Sequence, residues 1–175
     1  MQPDYCISLS ELIFCNQEVA YEHTDNRPDC EGDHAQSAPF AGVEGHFGRA
    51  GVGEWFKVDM SGQTFRPGQP VHGKTTYPGY EGMPFEIVVA QVEPERLFSF
   101  HWHPYNGDPD YDDSGEPMTL IEFELEEVDG GTKLTVTESG FDNIPLARRA
   151  EAFRSNSEGW GIQVENVRKY VEGQS

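Results

Sequence analysis

The stretch PLARRAEAFRSNSEGWGIQVENVRKYV, residues 145–171, decides the fold. Its apolar residues recur at steps of three, four and seven, which places them along one face of a helix; they are Leu146, Ala150, Phe153, Trp160, Val164, Val167 and Val171. A helix with such a face must pack on another element. Gly159 and Gly161 flank Trp160, and each costs a helix up to about 1 kcal/mol relative to Ala. We therefore expect a break or bend there.

The chain before this helix supplies a partner, because it contains runs of alternating apolar and polar residues that are typical of antiparallel strands. The predicted strands are Gln69–Tyr77, Pro84–Val92, Arg96–His103, Met118–Val128 and Lys133–Ser139. In the second of these, apolar residues fall on both faces, which indicates either cover on both sides or an unresolved register. The turn Asp129-Gly130-Gly131 joins the last two strands as a hairpin.

The first fifty residues are harder to interpret. Residues Leu9–Phe14 suit a short strand or one helical turn, whereas Asn26–Gly53 is rich in Gly, Pro and acidic residues and predicts a long loop. The aromatic pair Trp55-Phe56 follows, and we expect it to be buried.

Composition limits the classes of partner. The chain has 175 residues, which suits a single domain, and carries a formal net charge of −19. This charge argues against nucleic acid and against an anionic membrane surface as partners.

The three cysteines, Cys6, Cys15 and Cys30, lack the spacing of a metal or disulfide motif and favour reduced thiols. With no signal peptide and no long apolar run, we predict a soluble, cytoplasmic protein.

Glu138 is the carboxylate that the strand pattern singles out. It has the same parity as Leu134 and Val136 on the last predicted strand, so its side chain would point into the core. An inward carboxyl group would suit a general acid or a group that anchors a ligand. The alternative is that Glu138 lies at the strand end and reaches water or pairs with Arg148 or Arg149.

Aromatic residues surround that position in the predicted sheet and helix. Together with two polar groups, they would line an apolar cavity whose polar groups orient a ligand; the candidate ligand-binding residues are Tyr77, Phe85, Phe98, Phe100, Trp102, Phe123, Glu138, Phe153 and Trp160. Ordinary core packing explains the same aromatic residues equally well.

A metal site is a weaker hypothesis. His101 and His103 share one face of a strand and would need a third ligand from a neighbouring strand. Nearby Asp108, Asp110, Asp112 and Asp113 do not fit a calcium loop, because Asp113 stands where that loop needs Gly. A solvent-exposed face and loop is the simpler interpretation, so we assign no metal, no cofactor and no catalytic residue.

Four segments, in this order and spacing, resemble a known family. They are PGQPVHGK (67–74), EPERLFSFHWHP (93–104), LTVTESGF (134–141) and the helix with Gly159-Trp160 and Tyr170. The chain resembles the START-like helix-grip (SRPBCC) superfamily, in the branch of homologues of the activator of the heat-shock-protein-90 ATPase. The resemblance covers a core at 54–172, while residues 1–50 diverge from the family pattern.

This resemblance implies an α+β helix-grip (Bet v 1/START-like) fold, in which a curved antiparallel sheet wraps around a long C-terminal helix. It implies a single domain over residues 1–175 and a cavity for a small apolar or aromatic ligand, without assigned catalysis. Two alternatives are a co-chaperone-like regulator of a chaperone ATPase and an enzyme acting on an aromatic or polyketide-like substrate.

Overall fold

The computed structural model describes residues 7–15, 19–21, 49–104, 112, 114–128 and 131–172. For residues 7–15, 19–21, 49–50, 131 and 172 it describes the backbone alone. The strands are β1 (Ile7–Cys15), β2 (Val19–Tyr21), β3 (Val58–Asp59), β4 (Pro70–Thr75), β5 (Pro84–Glu93), β6 (Leu97–Trp102), β7 (Thr119–Val128) and β8 (Gly131–Ser139). The helices are α1 (Arg49–Phe56), a short 3-10 helix (Phe141–Asn143) and α2 (Leu146–Glu172).

The described strands form one antiparallel sheet in the order β2-β1-β8-β7-β6-β5-β4-β3. From β3 to β8 each strand pairs with the next one along the chain, and β1 pairs with the free side of β8. With α2 packed on one face of this sheet, the predicted α+β helix-grip fold is confirmed.

The strand alternation positions the core. Phe98 and Phe100 of β6, Ile121 and Phe123 of β7, and Val136 of β8 are all buried on the face toward α2. On β7 three of the four acidic residues occupy the other parity, which is the pattern of an antiparallel strand with one solvated face. The predicted strands β5 to β8 are confirmed, with ends that differ by a few residues.

A β-bulge resolves the ambiguous register of β5. Val89 pairs with Phe100 and Gln91 pairs with Ser99, so Ala90 is an extra residue that shifts the alternation. Before the bulge only one face is fully covered, because Ile87 and Val89 are buried while Val88 is partly exposed.

The long helix differs from its prediction in two respects. α2 continues through Gly159 and Gly161 as one helix, so of the predicted break or bend the break does not occur. Leu146 is 80% exposed and Ala150 is also exposed, so the predicted apolar face was wrong in its first turns. The buried face instead comprises Ala152, Asn156, Trp160, Val164, Val167 and Val171. Before the helix, Phe141 and Ile144 are fully buried and belong to the core, whereas Leu146 does not.

The N-terminal part becomes clearer in the structure. Leu9–Phe14 lies within β1, so of the two alternatives the strand is the observed one. Residues 49–53, which the sequence assigned to a loop, begin α1, and most of the predicted loop lies outside the described residues. Trp55 and Phe56 are buried, as predicted. In the part of the chain that the structure covers, no helix has the length and apolarity needed to cross a membrane.

Replacing Gly161 by Ala should stabilise the protein by about 0.5–1 kcal/mol, because Ala is the better helix former and nothing lies within 4 Å of the added Cβ. The free energy of unfolding in urea measures the change. Gly73→Ala is the contrasting variant: its Cβ would lie 2.6 Å from Val58 Cγ1 and 2.8 Å from the Asp59 carbonyl oxygen, and we expect a loss of about 1–3 kcal/mol. A destabilised Gly161→Ala protein would contradict a continuous α2.

Candidate functional site

Glu138 lies at the centre of the interface between the sheet and α2. It is the inward-facing residue near the end of β8, two positions after Val136, and its exposed fraction is 0%. A buried carboxyl group is costly unless hydrogen bonds replace the water that it loses. The hydrogen bonds to Glu138 therefore define the site.

Four side chains donate five hydrogen bonds to Glu138. Oε1 accepts from Trp102 Nε1 at 3.0 Å, Thr119 Oγ1 at 2.7 Å and Asn156 Nδ2 at 2.9 Å. Oε2 accepts from Trp160 Nε1 at 2.6 Å and from Asn156 Nδ2 at 3.1 Å. Indole and amide N–H groups only donate, so they match the acceptor oxygens of a carboxylate.

The positions of these donors follow from the secondary structure. Trp102 has the same parity on β6 as Phe100, and it pairs across the sheet with Thr119, the first residue of β7. Asn156 and Trp160 are four residues apart on α2, so they lie on one face of the helix. Two strands and one helix thus supply donors to one carboxylate on β8.

Aromatic rings enclose this polar centre. The Trp160 ring lies 5.5 Å from Trp102, 6.0 Å from Phe56 and 5.7 Å from Phe123 between centroids. Phe56 also contacts Trp102 at 5.9 Å and Phe85 at 5.3 Å. These side chains pack against one another, so the surroundings of Glu138 are apolar apart from its own donors.

The structure brings together eight of the nine predicted site residues. Five are buried in the core, namely Phe98, Phe100, Phe123, Glu138 and Trp160, and three are partly buried against it, namely Phe85, Trp102 and Phe153. Tyr77 is placed elsewhere: it is 37% exposed, in the loop after β4, with its ring 6.3 Å from that of Tyr80.

Sequence reasoning missed three residues of the site. Thr119 and Asn156 were not considered because polar residues were not counted as part of an apolar face, although both have the spacing of their buried neighbours. Asn156 is four residues from both Ala152 and Trp160, and Thr119 has the parity of Ile121. Phe56 was expected to be buried but was not assigned to the site.

The two arginines proposed as alternative partners of Glu138 bind elsewhere. Arg148 donates to Glu116 Oε2 from Nε at 2.8 Å and Nη2 at 2.6 Å, an ion pair in which both side chains are about a tenth exposed. Arg149 donates to the carbonyl oxygens of Asp142 and Ile144. Glu138 is therefore bound by the four neutral donors alone among the described side chains.

The two histidines considered as metal ligands lie in β6 and just after it. His101 and His103 are partly exposed, and the buried Nδ1 of His103 has no hydrogen-bond partner among the atoms that the structure describes. Within the same described ranges no three His, Cys, Asp or Glu residues are grouped as metal ligands. Asp112 is exposed, and hydrogen bonds from Ser114 lower the pKa of its carboxyl group; the other three aspartates lie outside the described residues.

A surface pocket of about 410 Å³ lies apart from Glu138. Its lining comprises Gly53, Glu54, Lys57, Val58, Asp59, Met60, Ser61 and Thr76, none of which was predicted as a site residue. Near it, burial and, secondarily, the Glu54 carboxylate raise the pKa of Tyr170. The pocket is open to solvent, and its lining is both polar and apolar. We therefore place the candidate site at Glu138, where a fully buried carboxylate accepts five hydrogen bonds.

The sequence of this region matches a known protein family. Residues 49–172 match the family described as Activator of Hsp90 ATPase homolog 1-like protein. These residues include every described donor to Glu138 and the whole of α2. No curated protein matches the sequence.

Solved structures show the same fold at low sequence identity. A protein of Staphylococcus epidermidis is 15% identical with a TM-score of 0.61, over 100% of this chain and 94% of that one. A protein of Bacillus halodurans is 20% identical with a TM-score of 0.54, over 97% of both chains. DynU16, from the dynemicin biosynthetic locus, is 18% identical with a TM-score of 0.59; the match covers 97% of this chain and 48% of DynU16.

Replacing Glu138 by Gln should destabilise the protein by about 2–4 kcal/mol. The side-chain amide of Gln replaces one carboxylate oxygen by an NH₂ group that cannot accept, so Trp102 loses its acceptor if Oε1 is replaced and Trp160 does if Oε2 is replaced. Urea denaturation measures the loss. Glu122→Gln, on the outward face of β7, is the matched control and should change stability by less than about 0.5 kcal/mol; equal effects of the two changes would contradict the described hydrogen bonds.

Proposed function

The chain belongs to the family of Activator of Hsp90 ATPase homolog 1-like proteins, and we propose that it binds a small, largely apolar or aromatic molecule between the sheet and α2. The observation that carries the proposal is the Glu138 carboxylate, a single polar anchor within a wall of aromatic rings. Small-molecule sites typically combine an apolar lining with a few fixed polar groups that set the orientation of the ligand.

The partly exposed aromatic residues support this location. Trp102 and Phe85 join the buried Phe56 in one contiguous group of rings that extends from Glu138 to the surface. Since the rings around Glu138 pack together, a ligand enters by displacing a side chain of this group. The partly exposed rings have fewer contacts to lose than those that are fully buried.

Anchoring, rather than catalysis, suits the way in which Glu138 is bound. A carboxylate offers about four lone-pair sites, and five hydrogen bonds already occupy them. Anchoring needs only the exchange of one donor for another, whereas proton transfer to an aromatic or polyketide-like substrate also needs a proton on Glu138, where the indole and amide groups can only donate. We accordingly propose a binding protein without a cofactor, located in the cytoplasm.

The family description favours a second function, contact with a chaperone ATPase. Such contact would depend on an exposed surface and would be independent of the interior anchor. A pull-down combined with an ATPase assay separates this function from ligand binding.

Titration with the neutral fluorescent probe N-phenylnaphthylamine, followed by amide-shift mapping, tests ligand binding. We expect saturable binding with one probe per chain and shifts concentrated at Phe56, Trp102 and Trp160, because these rings surround the anchor. Tyr77→Ala, outside the aromatic group, is the control and should leave the affinity unchanged. Shifts confined to the surface pocket around Lys57, or no saturable binding, would disprove the proposal.

A further inference from the structure

The hydrogen bonds to Glu138 are unequally distributed between its two oxygens. Oε1 accepts three, from Trp102, Thr119 and Asn156, whereas Oε2 accepts two. A carboxylate oxygen has two lone pairs, so Oε1 has one donor more than it needs. One of its three donors can leave without stranding a buried acceptor.

Trp102 is the donor that can leave. At 3.0 Å its bond is the longest of the three to Oε1, and it alone of the four donor side chains is only partly buried. Thr119 is held inside the sheet and Asn156 on the covered face of α2, both buried. Trp102 is the last residue of β6, so its side chain can swing outward with the least disturbance of the strand pairing.

We propose that the ligand of this protein is a planar aromatic molecule with one N–H or O–H donor and no negative charge, which takes the place of the Trp102 indole and donates to Glu138 Oε1. This inference rests on the proposed binding function and specifies its ligand. The departing ring leaves a slot between Phe56, Phe100 and Trp160, whose centroids lie 5.5–6.0 Å from it.

The anchor also excludes a class of ligands. An anionic head group placed beside Glu138 meets a like charge in an apolar enclosure, where repulsion is stronger than in water. The net charge of −19 further opposes the approach of anions. Carboxylic acids, including fatty acids, are therefore poor ligands, and aromatic alcohols, phenols and indoles are good ones.

Three bicyclic aromatic probes separate these features: indole carries a donor, benzothiophene has none and matches indole in size, and naphthoate carries a negative charge. Calorimetry should show indole binding at least about tenfold more tightly than benzothiophene, since a hydrogen bond to a charged group is worth more than 1.4 kcal/mol. Naphthoate should not bind detectably. In an NMR titration with indole the Trp102 indole N–H resonance should shift toward a water-bonded position, while the Trp160 resonance stays in place.

Two matched variants test the displacement itself. Trp102→Phe removes the hydrogen bond that a ligand must break and should tighten indole binding about threefold to tenfold. Trp55→Phe makes the same change at a buried tryptophan whose ring packs on Phe56 and Phe123, and it should leave the affinity for indole as in the wild type. Both comparisons remain valid if Glu138 variants fail to fold.

The outcomes separate this inference from the function on which it rests. Equal affinities for indole and benzothiophene, or an unmoved Trp102 resonance in the indole complex, would overturn the displacement of Trp102 while ligand binding still stands. Naphthoate binding as tightly as indole would overturn the assigned charge preference. Failure of all three probes to bind would overturn the proposed function together with the inference.

Discussion

The hydrogen bonds to one buried carboxylate hold the two layers of this protein together. Glu138 projects from β8 and accepts from β6, β7 and α2. Because a buried acceptor without partners costs several kcal/mol, donors from both the helix and the sheet must reach this one carboxylate. This requirement fixes the position of α2 more strictly than apolar packing alone, which tolerates small shifts of one layer against another.

The same requirement explains the aromatic residues around the carboxylate. Two of the four donors are indoles, which supply an N–H together with a large apolar ring. Trp102 and Trp160 thus satisfy Glu138 and exclude water in the same contact, with their rings 5.5 Å apart. A stable interior requires the hydrogen bonds to Glu138 to stay closed, whereas binding a ligand there requires one of them to open. The third donor on Oε1 allows both, because Trp102 can leave while each oxygen still accepts two hydrogen bonds.

Much of the fold followed from the sequence, and for physical reasons. Alternation predicted the inward face of β6 to β8, including the inward position of Glu138, because side-chain parity along a strand is regular. The start of α2 was harder: Leu146 has helical spacing, but Phe141 and Ile144 already fill the core there. The predicted strand ran to Tyr77, but β4 ends at Thr75. Strand alternation therefore does not determine the direction of the Tyr77 side chain. Asn156 went unnoticed because only the structure shows the acceptor that it faces; the ligand-binding role of the predicted site residues stays a prediction.

A double-mutant cycle between Glu138→Leu, which removes both acceptor oxygens, and Trp160→Phe, followed by urea denaturation, tests the central claim most directly. If the carboxylate joins sheet to helix through the Trp160 indole at 2.6 Å, the two changes should be coupled by about 1–3 kcal/mol. The double variant would then be clearly less destabilised than the sum of the single variants. Additive losses, within about 0.5 kcal/mol, would show that Glu138 and Trp160 stabilise the protein independently and would contradict this account.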